Sequence, residues 1–594
     1  MNKNSRQLII AVQLLIFAAV FTVFLPPTDP MPTMVSDDTV YISQWARLDL
    51  SWENIVFYFK TPVLFLHSPL VMFSFMVDKL VWGKQLIYGV HVVNALLHSI
   101  SSVLFFCLLR NLHFYRKGKT SLRIDVITAA ITVLLWSLHP QRAESVAWAC
   151  ERKDTLTVFL FLCCAVSFVR SFRKGKYDIP GVVPYALSFL CKPMLITFPV
   201  LAAIFIFCET RGKNFWKKLK YIIPYAAAAA GYFLINLTQI GNSAGNHSCK
   251  SFSELLDAAA NVGRYFQKTL FPSGLCTHYS AELPAADVLW LAVLLIPVLL
   301  LKSKWKNFSL YCILPCAAMF AISVFPVSGI ISIGSTSFAD RYSYLPSLFI
   351  AAGTAFIIAA AADKWKKSML PIGIICAIIL LFFITETRLN CKLYRNNEAY
   401  IENALSQPKP HHRMLYILGE KLVLEKRFDE AENLVNNILV PNSRHDEKTK
   451  KHIETFRKII LSLVKINRGD IKNGLAGLDT VIFSKESAFL IIYSRDFAKD
   501  TLLTAARLHL KAGNPRYAAH IFGMISDFYG TFDTAERDFY LGIRAMIRKE
   551  YPQAEYFFTR ALQVHPNNQR LLLNLAEARR KKLEYQQQNI QKRH

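Results

Sequence analysis

Met369 to Arg388 reads MLPIGIICAIILLFFITETR, a run of apolar residues that stops at Thr385-Glu386-Thr387-Arg388. Before this point the chain is a series of such runs; after it, the chain reads as charged, amphipathic helices as far as His594. The first part is suited to hydrocarbon and the second to water. Composition agrees: 594 residues, 53% hydrophobic and 19% charged, with a mean hydropathy of +0.27. These values exclude a disordered chain, a collagen and a small disulfide scaffold. The expected fold class is all-α, with a polytopic membrane bundle over 1–387 and a helical soluble domain over 388–594.

A span takes about 20 apolar residues. The first run, Leu8 to Leu25, follows Lys3 and Arg6 and ends in Pro26-Pro27-Thr28, which offers no small-residue cleavage site. It reads as a retained span with a cytoplasmic N-terminus. Further spans are expected near 89–110, 124–138, 155–170, 180–191, 194–208, 221–240, 287–301, 308–326, 347–362 and 369–386. Eleven crossings place every basic cluster on the cytoplasmic side, at 110–123, 170–176, 211–220, 302–306 and 364–367. This requires 180–208 to be a hairpin of two short helices with Lys192-Pro193 at its outer tip. Segments 26–88, 139–154, 241–286 and 327–346 then lie outside, together with the C-terminal domain.

Tyr540 to Pro566 reads YLGIRAMIRKEYPQAEYFFTRALQVHP. Leu541-Gly542, Ala545, Ala554, Phe558, Ala561 and Pro566 follow the spacing of a tetratricopeptide repeat, in which small residues let two helices approach and Phe558 fills the gap. Earlier copies are read at Leu415–Pro441, near 452–482 and around Ala518 and Phe522. Leu571 to Leu583 supplies a lone final helix with a charged outer face, as a solenoid cap requires. A repeat array of this kind binds peptide or partner protein.

Lys and Arg outnumber Asp and Glu by 69 to 42, a formal charge of +27. Much of the excess sits in short clusters between apolar runs, such as Arg110/Arg116/Lys117/Lys119 and Arg211/Lys213/Lys217/Lys218/Lys220. That placement points to a bilayer, and no nucleic-acid motif accompanies it. The twelve cysteines show no CxxC or Cys/His spacing, which argues against a zinc site. Cys249 and Cys276 share one outer loop, where they would form either a disulfide or two free thiols, since nothing in the sequence fixes their separation.

The polar residues expected outside the membrane are unusual. Asp37-Asp38 follow the first span and suit a base or a divalent-metal site, although an ordinary solvated loop explains the pair taken alone. His139 to Asp154 reads HPQRAESVAWACERKD, with both charge signs densely mixed. Its basic residues could neutralise a lipid phosphate, or the loop could be an interfacial salt-bridge network. Lys192 lies between apolar runs, either paired with an anion or snorkelling. His91, Asn94 and His98 share one helix face, where interhelical hydrogen bonds explain them. Lys250 to Phe271 carries Phe252, Leu255, Leu256, Ala259, Val262 and Phe266 on one face, as in an interfacial helix on the outer leaflet. Ala339 to Pro346, ADRYSYLP, sets Asp340, Arg341 and Tyr342 at the mouth of a span.

In this order these segments resemble the GT-C fold glycosyltransferases whose membrane half is followed by tetratricopeptide repeats, including the transmembrane, repeat-bearing protein O-mannosyltransferases and bacterial homologues. The matching stretches are Asp37-Asp38, HVVNALLH at 91–98, HPQRAESVAWACERKD at 139–154, LSFLCKPMLITFP at 187–199, YFQKTLFPSGL at 265–275 and ADRYSYLPS at 339–347. Segment 50–88 keeps only His67-Ser68-Pro69-Leu70 of the pattern.

The resemblance implies inverting transfer of a sugar, a mannose-type hexose, from a polyprenyl-phosphate donor to a protein or glycan hydroxyl on the outer face. Asp37 or Asp38 would be the catalytic carboxylate; no cofactor is required, and a divalent cation at that pair is left open. Arg152, Lys153, Lys192 and Arg341 would meet the donor phosphate, supported by His139, Arg142, Glu144, Asp340 and Tyr342. The repeats would engage the acceptor. The protein would reside in a bacterial inner membrane with periplasmic repeats, or in an endoplasmic-reticulum membrane with lumenal ones. The residues themselves agree, since no Gly-rich loop for a soluble nucleotide is present. Two other classes remain open at this level, a membrane-anchored repeat scaffold for envelope assembly and a lipid-carrier transporter.

Overall fold

The computed structural model describes residues 3–591 apart from 43–46, 64–65, 113–121, 244–251, 280–284, 304, 331–337, 365–368, 442–446, 485–494 and 530–533. Helices dominate, and among the described residues the only β pairing is the isolated Val63–Leu66 bridge. Two compact units divide at Lys409/Pro410, later than the composition change at Thr387/Arg388. The reason is local. The last apolar helix runs on to Leu393, and the next, Asn397–Leu405, is fastened back to the first unit. Thr277 donates to Tyr400 O at 2.7 Å and to Asn403 Oδ1 at 2.8 Å, and Thr33 N donates to Arg395 O at 2.9 Å.

Six helical stretches among the described residues have the length and apolarity to cross a membrane: Lys3–Phe24, Pro69–Asn111, Ala149–Arg173, Pro193–Thr210, Lys306–Val327 and Leu370–Leu393. Three shorter apolar helices join them, Ile124–Ser137, Ile179–Phe189 and Ser347–Ala361. Nine of the eleven expected spans coincide with these. The expected spans at 221–240 and 287–301 fall on helices Ile223–Ser243 and Trp290–Leu299, which stand outside both groups.

Segment 26–88 departs further from expectation, because it is not a simple outer loop. It contains the apolar helix Pro69–Trp82, joined to Leu86–Asn111 through Gly83. Gly83 has φ +53°, a left-handed value that breaks the helix and lets Trp82 fold onto its successor. A Cβ on Gly89 would lie 2.1 Å from the Trp82 ring, so only glycine fits there.

Helix Leu86–Asn111 packs against Lys3–Phe24 on one side and Arg152–Arg173 on another. Its buried Ser99, Ser101 and Ser102 turn their hydroxyls onto carbonyls one turn back, at 2.7–2.9 Å, so close approach leaves no donor stranded. The expectation that His91, Asn94 and His98 serve interhelical hydrogen bonds holds for Asn94 and His98, while neither ring nitrogen of His91 meets a hydrogen-bond partner among the described residues. His98 lies 2.7 Å from the Tyr344 hydroxyl and 2.9 Å from Ser137 O, while Asn94 Nδ2 donates to Trp148 O and Ala149 O at 3.2 Å.

The helix expected to lie on the outer leaflet is present as Phe252–Leu270, but its two halves differ. Leu255 and Leu256 are exposed, whereas Tyr265 and Phe266 are built into a buried cluster with Phe320 and Phe338. Cys276 is a buried free thiol that donates to His278 O at 3.3 Å; the other cysteine of its loop, Cys249, lies outside the described residues.

The second unit is an α-solenoid. Helix pairs His412–Leu424 with Phe428–Asn433, Glu447–Asn467 with Ile471–Ile482, Arg495–Lys511 with Pro515–Tyr529 and Thr534–Ile547 with Tyr551–Val564 lead to the lone helix Gln569–Gln591. Gly542 is obligatory in the last pair, because a Cβ there would lie 2.4 Å from the Phe558 ring. Ala554, Phe558 and Ala561 are fully buried. Arg579 and Lys582 of the final helix pair with Glu555 at 2.9 Å, which gives the end of the array a charged cover. Gly542→Ala is therefore expected to cost the repeat unit about 1–3 kcal/mol by overpacking, and Phe558→Ala about 3–5 kcal/mol. Thermal unfolding of the purified chain measures both, and unchanged melting in either variant would contradict this packing.

Candidate functional site

The loop after the first helix is held by one carboxylate. Asp38 is fully buried, and its two oxygens accept the backbone N–H groups of Val35 at 3.0 Å and Cys150 at 2.7 Å. Trp148 Nε1 returns a bond to Val35 O at 3.2 Å. The first loop is thereby riveted to segment 148–150. Burial pushes the Asp38 carboxyl up to about 7, against the lowering effect of those two N–H donors. Asp37 is only half buried, and it follows Ser36, whose φ of +48° is left-handed. Strain at a non-glycine residue persists where the surroundings impose it, and such residues cluster at functional sites. The charge of Asp37 is felt at Tyr41 and at Lys153. The pair thus differs in setting, with Asp38 as the buried rivet and Asp37 half buried, its charge acting on Lys153.

This arrangement does not suit a divalent cation at the pair. Both Asp38 oxygens already accept N–H groups, and no group of three or more candidate ligands occurs among the described residues.

Segments 139–154 and 339–346 interlock. Arg142 is completely buried and donates to Tyr344 O at 3.1 Å and to Ser343 Oγ at 2.9 Å. Its role is to clasp the two segments. Glu144 accepts the backbone N–H of Arg341 at 2.8 Å through one oxygen and the Arg341 guanidinium through the other. Asp340 accepts from Gln141 at 3.1 Å and from the Tyr279 hydroxyl at 2.6 Å, and burial raises its carboxyl. His139 Nδ1 accepts the Gln141 N–H at 3.3 Å, and its ring meets Phe383 edge-on.

The interlocking brings three cations together. Arg341 lies 3.3 Å and Lys153 3.1 Å from the same oxygen, Glu151 Oε1. Lys192 lies 2.6 Å from Asp154 Oδ1. The Tyr342 ring is 4.9 Å from both Lys192 and the Arg341 guanidinium. Exposure orders the group in depth. Glu151 and Asp154 side chains are 1% and 3% exposed, while those of Lys153, Lys192 and Arg341 are 10–13% exposed. The carboxylates form the back of the site and the cations its front.

Arg152 is not part of this group. It is 1% exposed and donates to Asp78 at 2.8 Å, to Val90 O at 3.0 Å and to Ser74 at 3.2 Å, with Asn94 taking its Nε–H. These bonds turn it into the bundle, away from the place on a phosphate expected for it. Sequence reading missed Asp78, whose only signal was a charge near the end of an apolar run. It also passed over Gln141 and Tyr279, which are unremarkable as letters.

A narrow apolar cavity of about 90 Å³ lies among the helices of this unit. Phe161, Phe198 and Phe349 line one part of it, and Leu112, Cys208 and Cys312 another. Phe161 is about two turns beyond Asp154 on the same helix. Phe198 follows Lys192 and Phe349 follows Tyr342 by a few residues. The elements that carry the charged group therefore continue into the cavity wall.

Two outcomes follow from these contacts. Breaking a buried ion pair costs about 3–5 kcal/mol, whereas an apolar replacement of both partners is often neutral. Arg152→Met alone should lower the melting temperature sharply, and Arg152→Met with Asp78→Leu should recover most of the loss. A phosphate-binding Arg152 would instead lose donor affinity in the double variant without any recovery elsewhere. For Asp38, the raised carboxyl means that the folded chain binds more protons than the unfolded chain between about pH 4 and 7. Its contribution is present at low pH and is lost as pH rises through 7. The melting difference between wild type and Asp38→Asn should therefore shrink across that window, and a constant difference would refute the assignment.

No protein-family model matches the chain. It is 30% identical over 152 residues to protein O-mannosyl-transferase TMTC4 of Homo sapiens, covering 23% of this chain and 20% of that protein. Protein O-mannosyl-transferase F38B6.6 of Caenorhabditis elegans is 22% identical over 351 residues, covering 56% of this chain and 48% of the relative. Protein O-mannosyl-transferase TMTC3 of Mus musculus is 25% identical over 176 residues, covering 28% and 17%. The chain thus spans between about a sixth and a half of the length of these relatives. In sequence, the chain with this riveted loop and three-cation site is similar to the protein O-mannosyl-transferases.

Proposed function

We propose that the chain is an integral-membrane inverting glycosyltransferase that moves a mannose-type hexose from a polyprenyl-phosphate donor to a protein or glycan hydroxyl. The observation that carries this reading is the convergence of Lys153, Lys192 and Arg341 on Glu151 and Asp154, with Lys153 within the charge field of Asp37, on elements that run on into an apolar cavity. A lipid-linked sugar phosphate has three parts, and the site offers a counterpart to each. The apolar cavity suits the polyprenyl chain, and the cations suit the phosphate. The carboxylate suits the acceptor.

In this reading the acceptor oxygen attacks the anomeric carbon while the bond from that carbon to the phosphate oxygen breaks on the opposite side. Asp37 takes the proton from the attacking hydroxyl, and the cations stabilise the charge left on the lipid phosphate. The second unit engages the acceptor. The charged site and the repeats face the outer side of the membrane, periplasmic in a bacterium or lumenal in the endoplasmic reticulum, because basic clusters 170–176 and 211–220 then lie inside.

Transfer assays with polyprenyl-phosphate mannose and a membrane preparation test the reading. Asp37→Asn should lower kcat by about 10²- to 10⁴-fold and leave donor affinity within about twofold. Lys192→Ala and Arg341→Ala should weaken donor binding as well, since the phosphate is charged before the reaction begins. Full activity in Asp37→Asn, or unaltered donor binding in both cation variants, would overturn it.

A further inference from the structure

Glu151 and Asp154 are both deeply buried, and each is only half used. Glu151 Oε1 receives Lys153 and Arg341, and Asp154 Oδ1 receives Lys192. Among the described residues, the second oxygens, Glu151 Oε2 and Asp154 Oδ2, are buried with no hydrogen-bond partner. Native interiors rarely leave such atoms unpaired, and a charged acceptor is the costliest kind to strand.

The two oxygens belong together. Glu151 closes a 3₁₀ turn and Asp154 lies in the first turn of the helix Arg152–Arg173, three residues on. That spacing puts both side chains on one helix face. Each carboxylate shares a cation environment with the other, since Lys153 and Lys192 act on both.

An ionised carboxylate only accepts hydrogen bonds, so what completes these oxygens must bring donors. A phosphodiester has none at neutral pH. A hexose has several, beginning on the carbon next to the one that bears the phosphate. We infer that Glu151 Oε2 and Asp154 Oδ2 form a subsite for two hydroxyls of the transferred sugar, behind the cations that take its phosphate. The inference rests on the donor reading above and assigns the sugar-reading residues within that site.

Arrival of the phosphate gives Lys153 and Lys192 a second anion, which draws their ammonium groups forward and opens the carboxylates to the ring. The same two residues then order the cations and select the sugar. Selection has a physical basis, because a buried acceptor left unpaired by a missing hydroxyl penalises the wrong ligand more than a hydrophobic contact could.

The test compares binding of three probes to the purified full-length protein: polyprenyl phosphate, polyprenyl-phosphate mannose, and a series of single-deoxy polyprenyl-phosphate mannoses. Wild type should bind the mannose-bearing lipid at least tenfold tighter than polyprenyl phosphate. Removing either of two particular hydroxyls should weaken binding about tenfold to a hundredfold. In Glu151→Gln and Asp154→Asn each penalty should shrink at least threefold, because a charge-assisted bond becomes a neutral one. The deoxy series on wild type stands even where a variant fails to fold. Equal binding of all deoxy analogues, or equal binding of polyprenyl phosphate with and without its sugar, would overturn the subsite and leave the donor reading intact. Failure of polyprenyl phosphate itself to bind would overturn both.

Discussion

The carboxylate of Glu144 takes the backbone N–H and the guanidinium of Arg341 together, and this double bond joins two segments nearly two hundred residues apart. Everything at the site depends on the junction. It fixes the path of 339–346, so that Arg341 reaches Glu151 and Tyr342 lies between two cations. It holds segment 144–151 in place, so that the N–H of Cys150 meets Asp38. Such a pair, removed from water, is worth little as a source of net stability. Its value is geometric, because it allows one arrangement of three chain segments and excludes the rest.

Around that junction the structure separates two kinds of buried charge. Arg142 and Arg152 turn their guanidinium groups onto neighbouring protein groups and join separate segments of the chain. Lys153, Lys192 and Arg341 keep one edge accessible and lean on carboxylates behind them. The first kind resembles a rivet and the second a loaded site. Both kinds carry the same letters in the sequence.

That identity of letters explains what was legible beforehand. The all-α class, the change from membrane to soluble helices and the glycine–phenylalanine contact of the last repeat could be read from apolar periodicity and small-residue spacing, which are local properties. The importance of 139–154 and 339–346 could be read from their charge density. Which of their residues point outward could not be read, because the direction of Arg152 is decided by Asp78 on a helix that looked like part of a loop. The difference in setting between Asp37 and Asp38 was hidden for the same reason, since it depends on a backbone N–H 112 residues away.

The fastening of the last apolar helix to the first loop also sets an order of events during biogenesis. Thr33 reaches its partner carbonyl on Arg395 only after 362 further residues have been made. At about 5–20 residues per second this takes roughly 20–70 s of translation. Through that interval Glu144 is inserted without Arg341, which pairs with it in the folded chain. The nascent bundle therefore carries an uncompensated carboxylate until segment 339–346 is made, and an unfastened first loop until Arg395 follows. A chain truncated between Pro346 and Arg395 would hold the charged segments but leave its first loop unfastened, a form that cellular quality control would meet as unfinished rather than unfolded.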